Sequence, residues 1–274
     1  MNSIGYRDLV RNTIRWIAKW RHPLWWLPDV PSEQDEAYRR IWANLRQVNH
    51  VVDGRHDTQD WYRRTGDFVY VCARIPEEVL APHYQELMEA LGEFPFVRPI
   101  PAALLNVTVQ ELGYLTDRPE GRDEITAEWL DEFVQQASSP VQSFPPFDVR
   151  LGGANSYVDA AFIDVHDNGW LSRIHTRLLD FVSQPPRMRY AYLPELIIAQ
   201  YIERAPADNL VRVLTPFRDM TFGEFRVTHI DVMRVRTDAS FATPEVVHRF
   251  ELGHEPGIID RVTTADPDAS RRIS

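Results

Sequence analysis

An α+β fold with internal duplication is the class this sequence predicts, on three observations. From Asp67 onward, short runs with the two-residue period of strands alternate with runs of helical period. The order strand, helix, strand occurs twice in succession. Two of the strands, Leu105 to Tyr114 and Tyr192 to Tyr201, set chemically distinct rows on one face: Asn106, Thr108 and Gln110 in the first, Glu195, Ile197, Ala199 and Tyr201 in the second. Leu105, Val107 and Val109 point the other way, toward a core, so the polar row marks a cleft.

At the start of the chain, in YRDLVRNTIRWIAKW, residues 6–20, Val10, Ile14 and Ile17 fall at helical spacing opposite Arg7, Arg11, Arg15 and Lys19, which predicts a basic amphipathic helix docked on the main domain, with a membrane surface or a protein partner as the other occupants of its apolar face. The Trp-rich segment HPLWWLPDVP is a stiff connector. Ser32 with Asp35 three positions on resembles a capping box and opens a second helix to about Val48. His50, Asp53, His56 and Asp57 match no metal-ligand spacing and read as a polar loop turning at Asp53-Gly54. Phe68 to Ala73 is a strand, and a helix from Pro82 ends at Gly92. After the Asn106 strand come a helix from Thr126 to about Gln136, strands Phe147–Leu151 and Tyr157–Val165 bridged by Gly152-Gly153, and a helix Trp170 to Val182 capped by Asp167-Asn168-Gly169. The Glu195 strand, a strand Phe225 to Val235 and a closing stretch Val246 to Leu252 complete the order. The expected division is a Trp-rich helical extension over 1–66, a main domain over 67–253 and a polar tail over 254–274.

Composition bounds the function. The 274 residues are 44% hydrophobic and 11% aromatic, enough for a sizeable core. A formal charge of −10 repels polyanions and argues against a general nucleic-acid binder, while leaving room for a nucleotide or an RNA end at a local basic site. No apolar run approaches membrane-spanning length and the first residues do not read as a secretory signal, so a cytoplasmic location is expected. Cys72 is the only cysteine, which excludes an internal disulfide and a cysteine zinc cluster. With no phosphate-loop or dinucleotide signature either, no cofactor and no metal are expected.

The residues carry a resemblance. LNVTVQELGYL resembles the first His-x-Thr-x strand of the two-histidine phosphoesterases, the superfamily of the 2′-5′ RNA ligases and cyclic phosphodiesterases, and LPELIIAQY resembles the second. The order PFRDMTFGEFRVTHIDVMRV, then PEVVHRFELG, is similar to the loop, strand and closing strand that come after the second motif in that family. The resemblance covers roughly residues 67–253 and implies two pseudo-symmetric lobes with antiparallel sheets around a central cleft, each giving one histidine and one hydroxyl. One imidazole takes a proton from the nucleophile and the other protonates the leaving oxygen. Carried over by position, the histidines fall at Asn106 and Glu195; Thr108 keeps the first hydroxyl and Ile197 replaces the second. Asparagine exchanges no proton at neutral pH, so losing both imidazoles lowers family-type catalysis by about 10² to 10⁴ per acid–base group.

Three readings stand at this point. In one, a degenerate member without phosphodiesterase activity keeps its cleft for a nucleotide or RNA end, with Gln110, Tyr201, Arg187, Arg189 and Arg218 as candidate ligand contacts. In another, a rewired enzyme uses Glu195 as acid or base and His229, oriented by Asp231 on the same strand face, in the other role. In the third, a structural or interaction protein works through its N-terminal helices and their tryptophans, where a protein partner would dock.

Overall fold

The computed structural model describes residues 31–55, 59–64, 66–182 and 192–253. The predicted helix over 6–20, the Trp-rich connector before Pro31, Arg187, Arg189 and the polar tail lie outside the described residues. Helix α1 (Pro31–Leu45) is followed by β1 (His50–Val51), the short α2 (Gln59–Tyr62), β2 (Phe68–Arg74), α3 (Pro82–Gly92), β3 (Val97–Pro99), β4 (Asn106–Leu115) and β5 (Glu124–Ile125). Next come α4 (Ala127–Gln142), β6 (Phe147–Ser156), β7 (Ala160–His166), α5 (Trp170–Leu178), β8 (Glu195–Tyr201), β9 (Ala205–Pro206), α6 (Asp208–Leu214), β10 (Thr221–Val227), β11 (His229–Val235) and β12 (Glu245–Glu251).

Two five-stranded sheets result, in the orders β10-β6-β7-β8-β3 and β12-β11-β2-β4-β5, all neighbours antiparallel except β4 with β5. This is the α+β, two-sheet architecture expected. Helix α3 packs on the outer face of the first sheet with α6 against it, and α4 and α5 pack on that of the second. One apolar core runs under both, through Val69, Val71, Val107 and Val109 on one side and Leu151, Ile163, Leu196 and Ile198 on the other. Among the described residues, no helix is long and apolar enough to cross a membrane.

Local chemistry explains the element ends. Pro82 opens α3 in its first turn, and the Thr126 side chain caps α4 by accepting from the Trp129 N–H at 3.1 Å. Helix α4 runs on to Gln142, beyond the predicted end, because Phe133, Ala137 and Val141 continue its buried stripe. The Asp167 carboxylate accepts from the Gly169 N–H at 3.0 Å and the Leu171 N–H at 2.5 Å, so the predicted turn-and-cap ahead of α5 is formed.

Two strand predictions needed correction. Gly152 and Gly153 do not join two strands; they lie inside the single strand β6 as a bulge, with Gly153 at φ +85°. The run Phe225 to Val235 is two strands, with Thr228 between them: β10 pairs with β6 in one sheet and β11 with β2 and β12 in the other.

Candidate functional site

Strand β4 sets Asn106 and Thr108 on the face opposite the buried Val107 and Val109. The Asn106 amide is held locally: its Nδ2 donates to the Leu104 carbonyl and its Oδ1 accepts from the Thr108 hydroxyl, both at 3.1 Å. Across the ladder, Arg74 lies opposite Asn106, Cys72 opposite Thr108, and Asp231 opposite Cys72. Burial pushes the Cys72 thiol far above its ordinary range, so it is an inert small hydrophobe.

Gln110 leaves this row. The register shifts between Val71 and Cys72, which sets Gln110 opposite the core-facing Val71 rather than two steps along the Thr108 face. Its Nε2 donates to the Glu111 carbonyl at 2.7 Å and its Oε1 is buried without a partner. A one-residue bulge reverses alternation, and nothing local in LNVTVQELGYL announces it.

The second strand breaks in the same way. Glu195 and Ile197 lie opposite Asp164 and Phe162, but the register then shifts, so that Gln200 pairs with Ala160 and Ala199 with Ala161. Tyr201 is thereby turned into the core, fully buried, its hydroxyl 2.6 Å from the Ser156 hydroxyl and its ring edge-on to Phe96. It is not a ligand contact on the Glu195 face, and Ala199 joins the core with it.

Arg218 is also occupied. Its Nη1 donates to the Ala154 carbonyl at 2.8 Å and to the Asp164 carboxylate at 3.0 Å, and its guanidinium stacks over Trp42. The Asn155 amide donates to the same carboxylate at 2.9 Å. Burial pushes the Asp164 carboxyl up to about 7, against the pull of Arg218 and Asn155. Arg218 therefore neutralises a buried acid instead of facing a ligand.

Nor does Asp231 orient His229. Both its carboxylate oxygens are taken by Arg249, at 2.7 and 2.9 Å. The His229 Nε2 is 3.9 Å away, beyond hydrogen-bond reach, and its Nδ1 lies 3.1 Å from the Thr228 hydroxyl.

The two motif strands do meet. Strands β4 and β8 run in contact where the sheets adjoin. Tyr192, three residues before Glu195, donates its hydroxyl to the Thr108 carbonyl at 2.9 Å, while its ring stacks on His175 at 4.5 Å. Glu195 itself accepts a hydrogen bond from the Tyr157 hydroxyl.

The inner face of the β8 lobe is covered by α1. Tyr38 and Ile41 form an apolar cluster with Tyr157, Phe162 and Leu193, with Ile197 packed against it. The Tyr38 hydroxyl sits 2.5 Å from the Pro194 carbonyl and 2.9 Å from that of Val165, and Gln34 donates to Asp167 at 3.1 Å. Ile197, at the position where the resemblance implies a phosphate-binding hydroxyl, packs against the cluster that seats α1. Of the predicted Trp surface, Trp42 is half-buried over Arg218 and Trp61 packs edge-on to Tyr114.

Sequence reasoning missed Arg74, which comes just after the predicted end of its strand at Ala73 and is exposed beside Asn106. It also missed a cavity of about 570 Å³ at the start of α1, lined by Asp35, Asp148, Arg150, His166, Glu224 and Arg226 among others. There His166 Nδ1 lies 3.0 Å from Asp35, and burial with the neighbouring Arg150 holds the imidazole pKa below its ordinary value. Among the described residues, no three His, Cys, Asp or Glu side chains gather to hold a metal.

The family model described as the 2′-5′ RNA ligase superfamily matches residues 118–239, a span that contains β8 and β11 and begins after the Asn106 row. No curated protein matches the chain. Among solved structures, the chain is similar to TT0787 of Thermus thermophilus at 20% identity and a TM-score of 0.48, covering 68% of this chain and 97% of that one. It is also similar to Escherichia coli LigT complexed with 3′-AMP, at 13% identity and a TM-score of 0.48 over 69% of this chain and 99% of that one. Residues 118–239, somewhat under half of the chain, thus carry its likeness to the 2′-5′ RNA ligase superfamily.

Proposed function

We propose that this protein uses the phosphoesterase scaffold to bind a phosphorylated ligand, a nucleotide or an RNA end, without the family's phosphodiesterase chemistry. The observation that carries the reading is the pair of motif positions. Asn106 is an amide tied to Leu104 and Thr108, with no proton to exchange. Glu195 is a carboxylate tied to Tyr157, beside an isoleucine packed on the α1 cluster. Such a pair lacks the matched acid and base that cleavage next to a 2′-hydroxyl requires.

The test is turnover of 2′,3′-cyclic nucleotides and 2′-5′-linked oligonucleotides by the full chain, beside a binding screen with nucleoside monophosphates. No turnover with measurable binding is expected. Turnover that disappears in Glu195→Gln would overturn the reading and establish a rewired enzyme.

A further inference from the structure

Helix α1 covers the inner face of the β8 lobe, so an anion entering the cleft must be held from the other sheet. We propose that Arg74 and His229, with the Asn106 amide between the lobes, form an anion subsite for a terminal phosphate group, a phosphomonoester in chemical class. This rests on the binding reading above and names the residues and group that reading leaves open.

Arg74 ends β2, which is the central strand of its sheet, and it is exposed on the face shared with Asn106. An arginine there is not a solvated edge residue. The arginines on nearby strands have carboxylate partners: Arg249 with Asp231, Arg234 with Glu245 and Asp67, Arg226 with Asp148. Arg74 has none among the described residues, so its five N–H donors are available. His229 shares a strand face with Asp231, whose pairing with Cys72 puts it in the ladder next to β2; two steps on, His229 lies on Arg74's side. With neighbouring strands about 4.8 Å apart, Asn106, Arg74 and His229 span about 10 Å, and the flexible arginine at the centre can reach a phosphate at either side. Asn106 keeps one amide N–H beyond the one given to Leu104. Of the carboxylates around the group, Asp231 is neutralised by Arg249, Glu251 lies opposite His229 at the rim, and Glu195 on the neighbouring motif strand is engaged by the Tyr157 hydroxyl. A dianionic monoester gains more from the guanidinium than a monoanionic diester does.

The experiment is calorimetric titration of the full chain with inorganic phosphate, with adenosine 3′-monophosphate and with adenosine. Phosphate and the monophosphate are expected to bind and adenosine not to compete with phosphate. Arg74→Gln should weaken phosphate binding about ten-fold or more, His229→Asn should weaken it by a smaller factor, and Arg150→Gln, a change in the separate cavity, should leave it unaltered, each with an unchanged thermal melt. Wild-type protein that binds no phosphate, Arg74→Gln that binds like wild type, or Arg150→Gln that loses as much as Arg74→Gln would each overturn the subsite. Turnover by the wild type ends the binding-only reading and leaves the Arg74 result standing, so the two failures are separable.

Discussion

Tyr38→Phe removes one oxygen and tests whether α1 is locked onto the inner face of the β8 lobe. The side chain is 1% exposed. Its hydroxyl sits between the Pro194 and Val165 carbonyls at 2.5 and 2.9 Å and accepts from the Val165 N–H at 3.2 Å. Phenylalanine keeps the ring against Phe162 and His166, so no cavity opens, and the cost is that of buried polar groups left short of a partner, about 1–3 kcal/mol. Tyr38→Ala adds loss of the ring and should cost about 3–5 kcal/mol. At about 2–4 °C per kcal/mol for a domain of this size, Tyr38→Phe lowers Tm by about 2–12 °C. Urea unfolding and thermal melts of the two variants read both numbers. If Tyr38→Phe unfolds within about 0.5 kcal/mol of wild type, helix α1 is not docked as described, and the account of Ile197 as a docking residue falls with it.

The Asp164 network gives two further outcomes. Gly153 has φ +85°, and a Cβ there would lie 2.8 Å from an Asp164 carboxylate oxygen and 2.9 Å from the Arg218 carbonyl; Gly153→Ala should therefore destabilise by more than about 1–3 kcal/mol, and a neutral urea midpoint would contradict the bulge. The buried Asp164 carboxyl titrates near 7 in the folded chain and near 3.9 unfolded. A raised folded value means stability that is present below about pH 4 and lost as pH rises to about 7. His166, held low by burial and Arg150, acts in the opposite sense, so the comparison must be with Asp164→Asn: wild type should lose stability relative to the variant across that window, and parallel stability–pH curves would show that Asp164 is ionised throughout.

Much of the fold was readable along the chain because its signals are local. Alternation of Val107 and Val109 with Asn106 and Thr108, the proline opening α3, the Thr126 cap and the Asp167 turn each depend on residues within a few positions. Every misplaced site residue failed at a non-local event. Gln110 and Tyr201 moved because a bulge in a strand pair reverses the face of the residues just beyond it, and Arg218 was claimed by an acid far away in sequence.

The sequence by itself determined most of the element order and the residue types, Asn106 and Glu195, that stand at the two positions the resemblance marks, since these depend on residue type and short-range period. Only the tertiary structure decided which residues share the cleft: that α1 lies over the Glu195 lobe, that Arg218 is spent on Asp164, and that Arg74 stands beside Asn106. Those are contacts between segments separated by tens of residues, and they are set by sheet register and by which faces pack, neither of which leaves a local trace.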